Sequence, residues 1–406
     1  MKTSLAPLEV AATQGCKIHL AEGQTLIDGI ASWWTAAHGY NHPHITQAII
    51  NQVQQLPHIM LGGLVHKPAT RLCQRLGQLL GDTLHHVFFS DSGSVSVEVA
   101  IKMAVQYWQN HNEQRNKIIC FQHGYHGDTF LTMALSDEGW MHDGMRAMLP
   151  KHFLQAIPDS DLLLAQFEKF LSQHAHTIAA LIIEPLVQGA GGMKFYSPKT
   201  LDALCSLCKQ HDILVIFDEI FTGFGRTGRL FAFEQCQTIP DIICLSKALT
   251  GGTLPLAATI ANKKVYDAFL SDAPEKALMH GPTFMANATA CAAANASLDL
   301  FENEPRLNQV SDIQAILKSE LAPLRDVPGV IDVRVQGAIG VIQCQPFSTE
   351  ELNWLKTQFI EDGVWLKPFY DIVYTTPALT ISTEDLHQVT QSMINNVKNT
   401  KKVVEI

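Results

Sequence analysis

Ile213-Leu214-Val215-Ile216-Phe217-Asp218-Glu219, and after it Asp241-Ile242-Ile243-Cys244-Leu245-Ser246-Lys247, decide how this chain folds. Each is a short apolar run, rich in Ile and Val, that stops at ionisable residues. A strand that is apolar at every position, rather than at every second one, is covered on both faces. That is the condition of a mostly parallel sheet between helices. Runs of the same kind lie at 86–89, 117–121, 179–184 and 257–261. Between them, 95–108 and 197–211 are long enough for crossover helices. In such sheets ligands gather beyond the carboxyl ends of the strands. There stand Ser92-Gly93-Ser94, Gly124-Tyr125-His126-Gly127-Asp128, Glu184-Pro185, Asp218-Glu219 and Ser246-Lys247.

Outside this region the texture changes. Glu302-Asn303-Glu304-Pro305 breaks an Ala-rich helix, and 330–335 alternates apolar and polar residues before a further run at 337–344. Alternation means one covered face, hence a smaller α+β unit. A hairpin is expected at 16–20 and 25–27 around Glu22-Gly23. The expected organisation is α/β: a large cofactor domain at 46–300, and a smaller domain from 1–45 and 301–406. Hydrophobic residues make up 47% of the 406 and charged residues 17%, which excludes global disorder.

A formal charge of −10 argues against nucleic acid or anionic lipid as the main partner. No run reaches the roughly 18 apolar residues of a membrane span, and the first residues lack an apolar signal region. Nine scattered cysteines fit reduced thiols, so a cytoplasmic location is expected. Cys205 and Cys208 form a C-x-x-C, but Ser197-Pro198 reads as a helix start and Leu201, Leu204, Leu207 and Cys208 recur at helical spacing. They are expected on a helix face. No histidine spacing suits a metal, and no G-x-G-x-x-G follows an early strand, which sets aside a dinucleotide oxidoreductase.

The chemistry centres on Lys247. A lysine at the end of a buried strand is costly unless its charge is removed or paired. A snorkelling surface lysine is the bland reading. With an acidic residue at the end of a neighbouring strand, an imine to pyridoxal phosphate (PLP) accounts for both. The carboxylate keeps the pyridine nitrogen protonated, and the amine holds the aldehyde and then moves protons. Spacing alone leaves open whether Asp218 or Glu219 faces the ring. Gly93 and Ser94 open a helix whose amides can hold a phosphate. Tyr125, between Gly124 and Gly127, can stack on the cofactor. Trp33 and Trp34 sit side by side; in a strand they would point to opposite faces, so at most one would line a given pocket. Thr283, in His280-Gly281-Pro282-Thr283-Phe284, can donate a hydroxyl to phosphate in its own subunit or across a dimer.

Together these residues resemble the class III, fold-type I PLP-dependent aminotransferases, over nearly the whole chain. The matching strings include Asp218–Gly228, Gly124–Thr129, Ile183–Met193, Cys244–Thr253, Ser32-Trp33-Trp34 and Met279–Phe284. The double tryptophan and the Met279 string point to the biotin-synthesis branch. The resemblance implies that Lys247 binds PLP covalently, Asp218 pairs with the pyridinium and Tyr125 stacks on the ring. It implies phosphate contacts from Gly93 and Ser94, with Pro282 and Thr283 added by a partner subunit of a homodimer. Trp33, Tyr125, Arg226, Gly281 and Lys367 would meet substrates, and Asp128 would support the tyrosine loop. The implied reaction moves an amino group from S-adenosylmethionine to 8-amino-7-oxononanoate.

Two departures fall on substrate recognition. The family's tyrosine-bearing segment ahead of the double tryptophan finds no counterpart in 1–10. Where the family has arginine in Val-Trp-x-Arg-Pro-Phe, this chain has Lys367, which keeps the charge and loses the planar bidentate fork. A different donor such as lysine, a different acceptor, or a PLP-binding protein without turnover are the alternatives these departures leave.

Overall fold

The computed structural model describes residues 5–81, 83–137 and 139–400. The outermost parts of the expected small domain, 1–4 and 401–406, lie outside the described residues.

The six apolar runs form neighbouring strands of one seven-stranded sheet, in the order Leu84–Ser90, Ala257–Asn262, Ile242–Leu245, Leu214–Asp218, Ile178–Ile183, Lys117–Phe121 and Phe153–Gln155. Leu214–Asp218 runs parallel to both of its neighbours, while Ala257–Asn262 is antiparallel to both of its own. Every residue of the three central strands is buried, which is why they show no alternation. The edge strand Phe153–Gln155 was not anticipated. It is three residues long with no buried position, so it leaves no apolar run.

The crossover helices form where spacing placed them. Gly93–Asn110 begins after Ser92, whose hydroxyl accepts from Val95 N at 3.3 Å. Pro198–Gln210 begins after Ser197, which accepts from Thr200 N at 3.0 Å, with Pro198 filling a position that needs no amide donor. Leu201, Leu204, Cys205 and Cys208 are its buried face. Burial pushes the Cys205 and Cys208 thiols up, away from the reactive thiolate. No His/Cys/Asp/Glu group able to hold a metal occurs among the described residues.

The chain's two ends build the remaining layer. Lys17–Leu20 and Thr25–Asp28 form the hairpin, and Val364–Trp365 joins it in parallel, pairing Trp365 with Asp28. Beside it, Val330–Gln336, Ile339–Cys344 and Ile372–Thr375 make an antiparallel sheet. Residues from near both termini therefore face the carboxyl edge of the large sheet across a cleft. Among the described residues no helix is long and apolar enough to cross a membrane.

Candidate active site

A cavity of about 570 Å³ lies in that cleft, with Lys247, Asp218, Tyr125, Gly93 and Ser94 on the large-sheet side. Trp33, Trp34, Lys367, Phe369 and Tyr374 line the other side.

Lys247 follows the strand Ile242–Leu245 and opens a 3₁₀ turn, Lys247–Thr250, with its own φ at +49°. A lysine in the left-handed region costs about 1–2 kcal/mol, so this conformation is imposed by its surroundings. Its Nζ lies 4.2 Å from the Trp34 ring centroid and 6.0 Å from that of Phe221. Burial brings its pKa down to about 8, with the Asp218 and Glu184 carboxylates working the other way. An amine in that range is available as base and nucleophile near neutral pH.

Asp218 and Glu219 are adjacent and buried, and the fold separates their tasks. Asp218 lines the cavity, where His126 Nδ1 donates to Oδ2 at 2.7 Å and Ile220 N donates to Oδ1 at 3.1 Å. Glu219 turns away into the protein and accepts from Ala232 N, Phe233 N and the Thr222 hydroxyl at 2.7, 2.9 and 3.2 Å. Burial pushes its carboxyl up to about 7.

Glu184 ends the strand run at 178–183 and accepts from Tyr125 N at 3.0 Å and Gly189 N at 2.8 Å. Burial, with Asp218 adding to it, pushes Glu184 up to about 7. The tyrosine loop is thus tied from below by Glu184. From the side, Ser94 Oγ accepts from Asp128 N at 3.3 Å. Gly127, at φ +123°, passes so close to Ser94 that a β-carbon there would lie 2.1 Å from its hydroxyl. The Tyr125 ring stacks on His142 at 6.2 Å, and His142 Nε2 lies 2.9 Å from Asp128 Oδ1. Burial, followed by Asp128, raises the Tyr125 phenol and keeps it protonated.

The two tryptophans overturn the expectation that only one could line a pocket. They are not in a strand: Ala31, Ser32, Trp33 and Trp34 have φ of +46°, +49°, +56° and +73°, a left-handed turn. Successive side chains on a helical turn diverge by roughly 100° rather than 180°, so both reach one cavity. Four such residues in a row cost on the order of 4–8 kcal/mol. Charge-assisted bonds to Asp28 offset part of this: Ile30 N donates to Oδ1 at 2.9 Å and Ser32 N to Oδ2 at 2.8 Å. Trp34 is buried and packs on Phe221 at 4.3 Å, while Trp33 is 56% exposed at the mouth. Lys367 Nζ sits 4.1 Å from the Trp33 ring centroid.

Some expected site residues lie elsewhere. Arg226 is buried outside the cavity lining, its Nη1 donating to Pro377 O at 2.7 Å and Ala338 O at 3.2 Å. Burial lowers it to about 10, and Asp28 opposes that shift. Gly281, Pro282 and Thr283 are not part of the lining either, and Gly281 and Thr283 are exposed on this chain. His126, Trp34 and Phe221 were missed as site residues. His126 stands within the loop that sequence reading singled out for its tyrosine, while Phe221 had no signal beyond following Asp218.

A sequence profile of the class-III aminotransferases matches residues 2–397. The chain belongs to this family. Its cofactor is pyridoxal phosphate. The chain is 42% identical over 402 residues to the adenosylmethionine-8-amino-7-oxononanoate aminotransferase of Buchnera aphidicola subsp. Acyrthosiphon pisum, covering 97% of this chain and 93% of that one. The enzyme of the same name from Corynebacterium glutamicum is 43% identical, with 96% and 93% covered. Among solved structures, the Methanocaldococcus jannaschii enzyme of that name superposes with a TM-score of 0.93 at 29% identity, covering 97% and 94%. A PLP-bound amine transaminase from an uncultivated Pseudomonas species gives 0.92 at 30%, covering 96% and 94%. The fold is that of the fold-type I transaminases. The donor set fits the cofactor: the Lys247 amine at a strand end, the buried Asp218 carboxylate braced by His126, and a helix N-terminus for a phosphate.

Proposed function

We propose that this aminotransferase moves an amino group from S-adenosylmethionine to the ketone of 8-amino-7-oxononanoate, giving 7,8-diaminononanoate. The observation that carries this reading is the pairing, in one cavity, of Lys247 and Asp218 with an aromatic, cationic mouth at Trp33 and Lys367. Relatives across nearly the full chain that carry those two substrates in their names support it.

Bound PLP supplies an aldehyde that takes up the amino group and a ring that draws in the electron pair of the carbon losing its proton. Lys247 would hold the aldehyde through its Nζ and, as a free amine, would take up and return the moving proton at that atom. Asp218, held in place by His126, would keep the ring nitrogen protonated. Gly93 and Ser94 would hold the phosphate, and Tyr125 would supply an aromatic face to the ring. Trp33 and Tyr125 form aromatic walls for the adenosyl group, and Lys367 meets the carboxylate of the amino-keto acid. Arg226, bonded to two backbone carbonyls, braces the substrate side. On this reading 46–300 is the cofactor domain, and 1–45 with 301–406 is the substrate-side domain.

The active unit is a homodimer in which Pro282 and Thr283 reach the partner's site. Exposed Met60, Val65, Met279 and Phe284 (60, 70, 80 and 57%) support this, because they lie on two loops that meet at the His58–Phe284 ring contact, and clustered exposed apolar side chains mark an interface. A single-turnover reaction of the PLP-loaded chain tests the substrate: S-adenosylmethionine converts the cofactor spectrum and lysine does not. The opposite pattern refutes the assignment.

A further inference from the structure

The left-handed Ala31–Trp34 turn carries both indoles, and nothing in its own sequence favours that shape: none of the four residues is glycine. What holds it lies three residues back. Asp28, 1% exposed, closes the strand Thr25–Asp28 and points both carboxylate oxygens at the turn. Ile30 N and Ser32 N donate to it, and the Tyr40 hydroxyl donates to Oδ2 at 2.5 Å. The same residue is in register with Trp365, two positions before Lys367, and Gly29 N donates to Trp365 O at 3.1 Å. Asp28 therefore stands where the turn bearing Trp33 and the segment bearing Lys367 are tied together.

We propose that Asp28 is a positioning residue for substrate recognition, its carboxylate setting the turn that fixes Trp33 and Trp34 relative to Lys367 and Lys247. It touches neither substrate nor cofactor. The proposal rests on the reading that substrate enters along the Trp33 side. The chemistry at Lys247 and Asp218 comes from other elements, so loss of Asp28 falls on substrate affinity and leaves PLP attachment intact. An asparagine is the sharpest probe: it keeps size and one oxygen, but puts an NH2 donor where the second oxygen now faces a backbone N–H, since Ile30 N and Ser32 N bond different oxygens.

In the PLP-loaded protein, Asp28→Asn raises KM for S-adenosylmethionine about tenfold, with kcat and PLP affinity changed less than about twofold. Acrylamide quenching of tryptophan emission, measured without substrate, increases as buried Trp34 becomes accessible. Tyr40→Phe, which removes one donor, moves KM the same way by about threefold. Ser32→Gly, added to Asp28→Asn, brings KM and quenching back toward the parent, because glycine adopts the left-handed region without the carboxylate. Unchanged KM and quenching in Asp28→Asn overturn the proposal. So does joint loss of PLP affinity and kcat that Ser32→Gly does not restore, which would make Asp28 a residue of general stability. A parent protein that ignores S-adenosylmethionine refutes the substrate reading, while the quenching series still judges the turn.

Discussion

The wall of the cavity that carries Lys247 and Asp218 is made from strand ends of one sheet, whereas the wall that carries Trp33, Trp34 and Lys367 is made from a left-handed turn and a loop. The first wall is placed by ladder hydrogen bonds between buried strands, pairing Asp218 with Cys244 three residues before Lys247. The second is placed by backbone N–H groups donating to the Asp28 carboxylate and by a two-residue strand joining distant parts of the chain. The difference teaches where change is tolerated. Moving a residue on the first wall shifts a register and disables the chemistry; moving one on the second alters which molecule fits.

Substitutions that break one wall and spare the other test this contrast. Lys247→Ala removes the attachment point, and transamination falls by about 10⁴-fold or more. Borohydride reduction followed by mass spectrometry finds cofactor on the Lys247 peptide of the parent only; label on another peptide would end the argument. Asp218→Asn keeps the shape and removes the charge opposite the pyridinium, at a loss of about a thousandfold in kcat. On the other wall, Lys367→Ala raises KM for the amino-keto acid about thirtyfold with kcat little changed, from the loss of one charged contact. If kcat fell instead, Lys367 would belong with the chemistry.

The adjacent acids sharpen the comparison within a single strand end. Glu219→Gln leaves one of three buried donors without an acceptor and lowers stability by about 2 kcal/mol, read by chemical denaturation, with turnover of the folded protein within about twofold. The smallest effect is a pH profile. Because burial lowers the Lys247 amine to about 8, its neutral form grows as pH rises through that value. PLP uptake by the apoprotein should therefore speed up about tenfold between pH 7 and 9 and then level off. A profile flat over that range would remove the lowered amine from the account.

The large sheet was legible because its central strands are buried on both faces, and burial leaves an unbroken apolar run in the sequence. The crossover helices were legible from Ser92 and Ser197, since capping is a local bond. Lys247, Asp218 and Tyr125 stood out because an ionisable or aromatic residue at a strand end has few other reasons to be there. The short edge strand at 153–155 was invisible, having no buried position.

By itself, the sequence determined the sheet, the helices that cross it and the lysine that a strand end delivers to the cavity, all consequences of period, capping and local burial. Only the tertiary structure decided that Asp218 rather than Glu219 faces the cavity, because that choice depends on which backbone amides, those of Ala232 and Phe233, wait for the other acid. It alone decided that Trp33 and Trp34 share a pocket, since a left-handed turn without glycine exists only where a distant strand and a buried carboxylate hold it. Such a conformation is unfavourable in isolation and leaves no local pattern to read.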